Sequence, residues 1–179
     1  YSGRDASVIL CFGTPDIHIR YGISYISGEQ AQKNMQREID TYDTDVIARR
    51  GRDIWNNALG KIKVQGDNEN DKVVFYTSLY RIYERMVNIS EDGKYYSGFD
   101  KKVHEDEGIP FYTDDWVWDT YRAVHPLRIL IEPEKQAWMI RSFIRMARQT
   151  PEGWMPTFPE VTGDSHRMNG NHVVSVIAD

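Results

Sequence analysis

The sequence has few of the features that mark disulfide scaffolds, membrane spans or nucleic-acid-binding proteins. Its 179 residues include one cysteine, Cys11, so no internal disulfide can form, and we expect this thiol to be a small buried hydrophobe. No apolar run approaches the ~20 residues that cross a bilayer, and no leader-like segment opens the chain. With 22 Lys and Arg against 27 Asp and Glu, the net charge of -5 offers nucleic acid no basic surface.

Motifs for phosphate binding, dinucleotide binding and serine nucleophiles are missing as well. The spacing of His125, His166 and His172 matches no usual zinc pattern, so we expect these to be loop or hydroxyl-binding histidines. The acidic run 104–107 lacks the spacing of a calcium loop and is predicted to be solvated. Spacing alone therefore predicts no metal site, and no feature of the sequence specifies an oligomeric state.

Hydrophobic periodicity predicts two strands followed by a series of helices. Strands are predicted over 8–12 and 16–26, and because two strands form only a marginal sheet we expect them to join a larger one. Helices are predicted from Ser27, from Asp45 to Gly60, over 73–88, over 115–130 with a kink at Pro126, from Pro133 with an apolar stripe of Ala137, Ile140, Ile144 and Ala147, and from Asn171. The stretch 94–110 is predicted to be a polar loop, and 150–170 to be irregular.

Two segments carry the chemistry. Residues 114–122 combine three carboxylates, two indoles, a phenol and a guanidinium, and residues 153–159 are followed by Asp164, His166 and the run 169–172. Indole faces stack on sugar rings, while carboxylates and guanidinium groups hydrogen-bond ring hydroxyls. Together these segments predict a polar, aromatic-lined pocket for a carbohydrate.

The acidic residues of 114–122 allow more than one interpretation. Asp119 could pair with Arg122 one helical turn later, or its carboxylate could point into a pocket between the indoles of Trp116 and Trp118. Asp114 and Asp115 are predicted to be a helix N-cap and a first-turn acid. Trp154 and Phe158 could close the core under a long loop, although such loops in compact domains are usually functional.

The order of several short motifs resembles a known family, the calcium-dependent exo-acting α-mannosidases of glycoside hydrolase family 92 found in Bacteroides-type bacteria. The matching segments are 23–27 with Ala31, Asn34 and Glu38; Trp55, Asn56 and Leu59; 75–81; 92–96 with Val103 and His104; 118–122 with 125–127; 153–156; and 168–172. The resemblance implies a mainly α fold, the first part of an (α/α)6 toroid preceded by the last strands of an N-terminal β-sandwich. Residues 1–26 would then belong to the sandwich and its connection, and residues 27–179 to the truncated toroid.

The resemblance also implies an activity. Members release terminal mannose with inversion, using a glutamic acid and an aspartate pair whose carboxyls stand ~6.5–9.5 Å apart, and a calcium ion that contacts the sugar. The chain starts at Tyr1 and stops at Asp179, and we expect an internal piece of a longer protein that is inactive alone. The family's acid, base and calcium ligands are expected beyond Asp179, so no catalytic or metal role is assigned within the chain.

One substrate-binding role is carried over. Asp119, in Trp118-Asp119-Thr120, matches a family carboxylate that binds the terminal mannose. The other expected substrate-binding residues are Trp116, Arg122, Asn171 and His172. The expected partner is a mannose-containing glycan, and the resemblance implies a periplasmic, extracellular or cell-surface location. Two alternatives stay open: a non-catalytic carbohydrate-binding or assembly module on the same toroid, and a toroidal glycosidase for another sugar.

Overall fold

The computed structural model describes residues 7–179, and residues 1–6 of the segment 1–26 that was assigned to the β-sandwich and its connection lie outside this range. Within it, helices dominate: α1 Gly28–Glu38, α2 Thr44–Leu59, α3 Glu69–Ile82, α4 Val117–Thr120, α5 Val124–Ile131, α6 Pro133–Arg148 and α7 His172–Ala178. The strands are short: β1 Val87–Asn88, β2 Lys94–Ser97, β3 Lys102–Glu105, β4 Tyr112–Thr113, β5 Pro159–Glu160 and β6 Gly163–Asp164. They pair antiparallel as β1 with β4, β2 with β3, and β5 with β6.

The segment 7–26 differs from its prediction. None of its residues is in a strand in the described structure, because no second segment supplies the backbone hydrogen bonds that a strand needs. The alternating apolar side chains predicted to share a buried face are exposed, and Tyr21 is 73% exposed. Cys11 was predicted to be buried; it is exposed, since it lies in this same unpaired segment.

A buried carboxylate holds the end of this segment against the helices. The Asn34 side chain of α1 donates to the backbone carbonyl of Ile23 at 3.0 Å and to Glu91 at 2.6 Å. Glu91 also accepts a 3.0 Å hydrogen bond from the backbone N–H of Tyr25. Ser27 caps α1 by accepting from the backbone N–H of Gln30, which confirms the predicted helix start.

Helix α2 begins and ends at residues that the local sequence specifies, whereas α3 ends earlier than predicted. Asp43 caps α2, and Gly60 ends it as predicted. Helix α3 was predicted to reach residue 88 but ends at Ile82, whose carbonyl accepts a 2.5 Å hydrogen bond from the buried guanidinium of Arg128. Val87 and the residue after it then pair with β4, so tertiary contacts override the helical pattern there.

The predicted polar loop over 94–110 is instead a hairpin of β2 and β3. Its connection requires a left-handed backbone at Lys101, with φ of 60°. Tyr95 in β2 is 3% exposed, and its ring stacks on that of Phe111 with centroids 4.1 Å apart. The alternation of buried and exposed residues along β2 was hidden by the polar composition of the stretch.

The helix predicted over 115–130 is two helices, α4 and α5. Pro126 has no N–H to donate, and its ring would clash with the carbonyl of Arg122 in a continuous helix, so the break falls before it. Pro133 starts α6 as predicted, and α7 begins at the predicted place.

The apolar stripe predicted on α6 is confirmed in part. Ala147 is buried and Ile140 packs against the core, but Ala137 is exposed, and Gln136 and Met139, each 1% exposed, face the core beside them. The core comprises Met86, Ile89, Tyr95, Phe111, Tyr112, Val117, Met139, Phe143, Met146, Val173 and Val176. It therefore lies between α6, α7, the strands and the start of α4.

Candidate functional site

A buried polar network fixes the helix that carries the candidate residues. His125, 2% exposed, places Nε2 2.8 Å from the Asp115 carboxylate, and its Nδ1 lies 2.9 Å from the Gln136 amide nitrogen. A carboxylate only accepts, so Nε2 donates to Asp115, and Nδ1 forms its hydrogen bond with the Gln136 amide. These contacts join the segment before α4 to both α5 and α6.

Asp115 was predicted to be a first-turn acid of the helix, but it precedes α4, which begins at Val117. It is 1% exposed, accepts from the Thr120 hydroxyl at 3.1 Å, and its backbone N–H donates to Pro159. Asp114 is not a cap either, because it forms an ion pair with Arg85. The residue before α4, Trp116, makes no side-chain capping bond within the described structure. The carboxylate is used to lock α4 in place.

Helix α4 and the start of α7 form one aromatic surface. The His172 imidazole stacks on the Tyr121 ring with centroids 4.1 Å apart, and the Trp118 ring meets it edge-on at 5.2 Å. Gly170 makes the close approach feasible, since a Cβ there would lie 2.7 Å from His172 Nε2. The structure therefore brings His172 to the Trp118 segment, two parts of the chain that were predicted from their residue types to lie together.

The remaining candidate residues lie around this surface. Asp119, Arg122 and Asn171 are exposed, and Trp118 is 44% exposed. The predicted alternative of an Asp119 pair with Arg122 is not seen among the described ion pairs; Arg122 instead donates to the Tyr121 hydroxyl at 2.7 Å. The predicted pocket around the Asp119 carboxylate is also not seen in the described structure: its side chain is exposed, and the indoles of Trp116 and Trp118 contact different neighbours.

Trp116 faces a different neighbourhood from Trp118. Its ring stacks on Phe158 at 6.2 Å, and the Arg85 guanidinium lies 4.3 Å from its centroid. Because Phe158 is buried and belongs to the irregular segment after α6, this contact ties α4 to that segment. Phe158 closes the core, as one prediction had it, whereas Trp154 is exposed.

One carboxylate organises the irregular segment. Asp164 accepts from the backbone N–H groups of Thr157 at 2.7 Å, Phe158 at 2.9 Å and His166 at 3.1 Å. Burial would raise the pKa of the Asp164 carboxyl, but these backbone hydrogen bonds outweigh it and hold that pKa below its usual range. The loop that leads to His172 is therefore internally braced.

The described residues do not form a site for a calcium ion. Across residues 7–179, no three His, Cys, Asp or Glu side chains are grouped closely enough to hold a metal ion. The oxygens of Asp164 already accept protein hydrogen bonds, so it is not an available hard-cation ligand. None of the described residues is therefore assigned as a calcium ligand.

Residues 30–179 match the model of the glycosyl hydrolase family 92 catalytic domain. The chain belongs to glycosyl hydrolase family 92. No curated protein matches the sequence significantly. Three solved structures show the likeness within family 92 in detail, and the chain spans about a fifth of the length of each.

The first of these structures is the inverting mannosidase BT2199 from Bacteroides thetaiotaomicron VPI-5482, with 35% identity and a TM-score of 0.76 over 86% of this chain and 21% of that one. The second is the α-mannosidase BT3965 from Bacteroides thetaiotaomicron, with 31% identity and a TM-score of 0.80; the match covers 87% of this chain and 21% of BT3965. The third is BT3965 in complex with mannoimidazole, with 31% identity and a TM-score of 0.78; the match covers 87% of this chain and 20% of that one. A family 92 glycosidase is thus the class of protein to which this helix-rich chain contributes.

Sequence reasoning missed one residue that supports the candidate surface. Gln136 holds His125 in place and belongs to no recognisable motif, whereas Tyr121, which stacks on His172, lies in the 118–122 motif. The signal of Gln136 was weak, because a glutamine one position from an apolar stripe looks solvated in a helical wheel. The burial of Gln136 becomes visible only once α6 packs against α5.

Proposed function

We propose that the protein carrying this chain releases terminal α-linked mannose from glycans. The observation that carries the proposal is the match of residues 30–179 to the family 92 catalytic domain. It is supported by structural likeness to two Bacteroides mannosidases at 31–35% identity. One of these was solved with mannoimidazole bound, which indicates the sugar class that such a site accommodates.

This chain contributes the surface that grips the terminal mannose. The exposed Asp119 carboxylate accepts hydrogen bonds from ring hydroxyls, and the Trp118 indole offers a face to the sugar. Arg122 and Asn171 add donors at the edge, and His172 orients the Trp118 ring by packing against it. Trp116 supports the same helix from its other side. No catalytic acid or base is assigned to a residue of this chain.

We test this role with Asp119→Ala in the natural full-length protein. Loss of a charge-assisted hydrogen bond to the sugar should lower kcat/KM on an α-mannoside at least tenfold, which equals about 1.4 kcal/mol of transition-state binding. Asp53→Ala is the matched control, since Asp53 is an exposed carboxylate on α2 far along the chain from α4. Unchanged kinetics in Asp119→Ala would remove this carboxylate from the site.

The finer chemistry is also part of the proposal. The enzyme inverts the anomeric centre and requires calcium, as the resemblance implies, and its proposed linkage preference is α-1,2. Proton NMR should show β-mannose as the first product, and chelation of calcium should abolish turnover until the ion is restored. Release of the α anomer, or turnover indifferent to a chelator, would contradict these two features. A linkage panel of mannobioses tests the third.

The biological substrate is proposed to be a mannose-containing N-glycan, met in the periplasm or outside the cell. In the described range, no helix is long and apolar enough to cross a membrane. Cell fractionation with an antibody to the natural protein tests the location. Glycan binding without any hydrolysis would favour the non-catalytic module instead.

A further inference from the structure

An arginine from another part of the chain holds the segment 114–116, which joins β4 to α4. Arg85 lies between α3 and β1, and its guanidinium forms an ion pair with the Asp114 carboxylate. The same guanidinium lies 4.3 Å from the centroid of the Trp116 ring, where the π-system of an indole attracts a cation. One side chain therefore contacts the first and the last residue of this segment.

The fold itself brings Arg85 to the segment 114–116. Val87 lies opposite Thr113 in the pairing of β1 with β4, so Arg85 and Asp114 lie at the same end of that pair. The backbone carbonyl of Arg85 also accepts a hydrogen bond from Arg128, which is 3% exposed. Arg85 is therefore fixed at its own backbone before its side chain reaches Asp114.

The backbone of Asp114 needs support from its surroundings. Its φ of 63° lies in the left-handed region, which residues with a Cβ rarely adopt. Such a conformation persists where neighbouring contacts hold it. The ion pair with Arg85 is such a contact, and because the two side chains are only 31% and 23% exposed, salt screens it less than a fully solvated pair.

The carbonyl of Trp116 connects this segment to the candidate substrate-binding residue. It accepts a hydrogen bond from the backbone N–H of Asp119 at 2.7 Å and another from that of Thr120 at 3.0 Å. Helix α4 has only four residues, so it closes few hydrogen bonds of its own and depends on this carbonyl for its place. A displacement of Trp116 would therefore displace the backbone that carries the Asp119 carboxylate.

We propose that Arg85 is a positioning residue for the Asp119 carboxylate, and that it acts by holding the segment 114–116. This inference rests on the proposed role of Asp119 in mannose binding. Arginine suits the task, because its planar guanidinium can bond a carboxylate and stack on an aromatic ring at the same time. Arg85 acts on the sugar only through α4, since Asp114 and Trp116 occupy its guanidinium.

The first test is a double-mutant cycle on kcat/KM for an α-mannoside in the natural full-length protein. Arg85→Met keeps the length of the side chain without its charge, and it should lower kcat/KM about fivefold in the wild type but less than about twofold in Asp119→Ala. Arg85→Lys keeps a charge for Asp114 and should fall between Arg85→Met and the wild type.

The control for this cycle is Arg50→Met. Arg50 forms an exposed ion pair with Asp40 from α2, so its replacement removes an Arg–Asp pair elsewhere and should leave kcat/KM unchanged. An equal fall for Arg85→Met in both backgrounds would show a general structural effect, and no fall in the wild type would show no effect at all. Either result overturns the positioning role.

Hydrogen exchange separates this inference from the mannosidase proposal. The N–H groups of Asp119 and Thr120 bond to the Trp116 carbonyl, so a peptide covering 114–122 should exchange about threefold faster in Arg85→Met than in the wild type or in Arg50→Met. If the wild type releases no mannose, the mannosidase proposal fails by itself, and the exchange still decides on Arg85. Faster exchange confined to this peptide supports the inference, whereas unchanged exchange, or faster exchange along the whole chain, refutes it.

Discussion

Replacement of His125 by alanine tests whether the buried network holds the site in shape. The imidazole is 2% exposed and bonds both to the Asp115 carboxylate and to the Gln136 amide. Each buried partner left without its bond costs ~1–3 kcal/mol, so the two together cost roughly 2–6 kcal/mol before any cavity is counted. We expect His125→Ala to lower the free energy of unfolding by about 4 kcal/mol.

The assay is urea unfolding of the natural protein, followed by tryptophan fluorescence. His125→Gln should lose only about 2 kcal/mol, because its amide nitrogen can still donate to Asp115 while the bond to Gln136 is lost. His18→Ala is the matched control: His18 is exposed, and its loss should change stability by less than ~0.5 kcal/mol. If His125→Ala resembled His18→Ala, the network would not be stabilising, and the account of how α4 is positioned would be wrong.

Three further changes probe the braced loop, the close approach and the end of α3. Because the pKa of Asp164 is lowered by folding, its stabilisation is fully present above its unfolded pKa of ~3.9 and disappears as pH falls through the folded pKa. Asp164→Asn should therefore be less stable than wild type at pH 7, with the gap closing below about pH 4 in acid titrations. Gly98→Ala should lower the free energy of unfolding in urea by about 2 kcal/mol, because the new Cβ would clash with the backbone of Thr162. Gly51→Ala is the control: it lies in open space on α2 and should raise that free energy by ~0.5–1 kcal/mol. Equal effects of the two substitutions would contradict the clash. Arg128→Met should cost about 3 kcal/mol in the same assay, because two carbonyls at the end of α3 lose their donor; a loss below 1 kcal/mol would count against this capping.

The sequence predicted the ends of helices correctly where a single capping or terminating residue determines them. Ser27 caps α1 through its own side chain, Gly60 ends α2, and Pro133 starts α6, all as the sequence indicated. The two aromatic segments were predicted from their residue types to share one pocket, and the described structure brings His172 to Trp118. No periodicity rule joins residues so far apart along the chain.

The failures have a common physical cause, which is contact between distant segments. Asp115 was predicted to be a first-turn acid, but its carboxylate is buried by hydrogen bonds with His125 and Thr120. Helix α3 stops early because Arg128 binds its last carbonyl. The segment 16–26 has strand periodicity and yet forms no strand within the described residues. Periodicity places apolar side chains on one side of the segment, but a strand also needs a neighbouring strand to hydrogen-bond with.

The stacking of His172 on Tyr121 has a consequence for biosynthesis. The two rings are about 50 residues apart along the chain, so the aromatic surface of α4 and α7 is incomplete until α7 leaves the ribosome. At ~5–20 residues per second, the nascent α4 waits roughly 3–10 s for its partner. During that interval the Trp118 and Tyr121 rings lack their contact with His172, and the aromatic surface forms only after α7 has emerged.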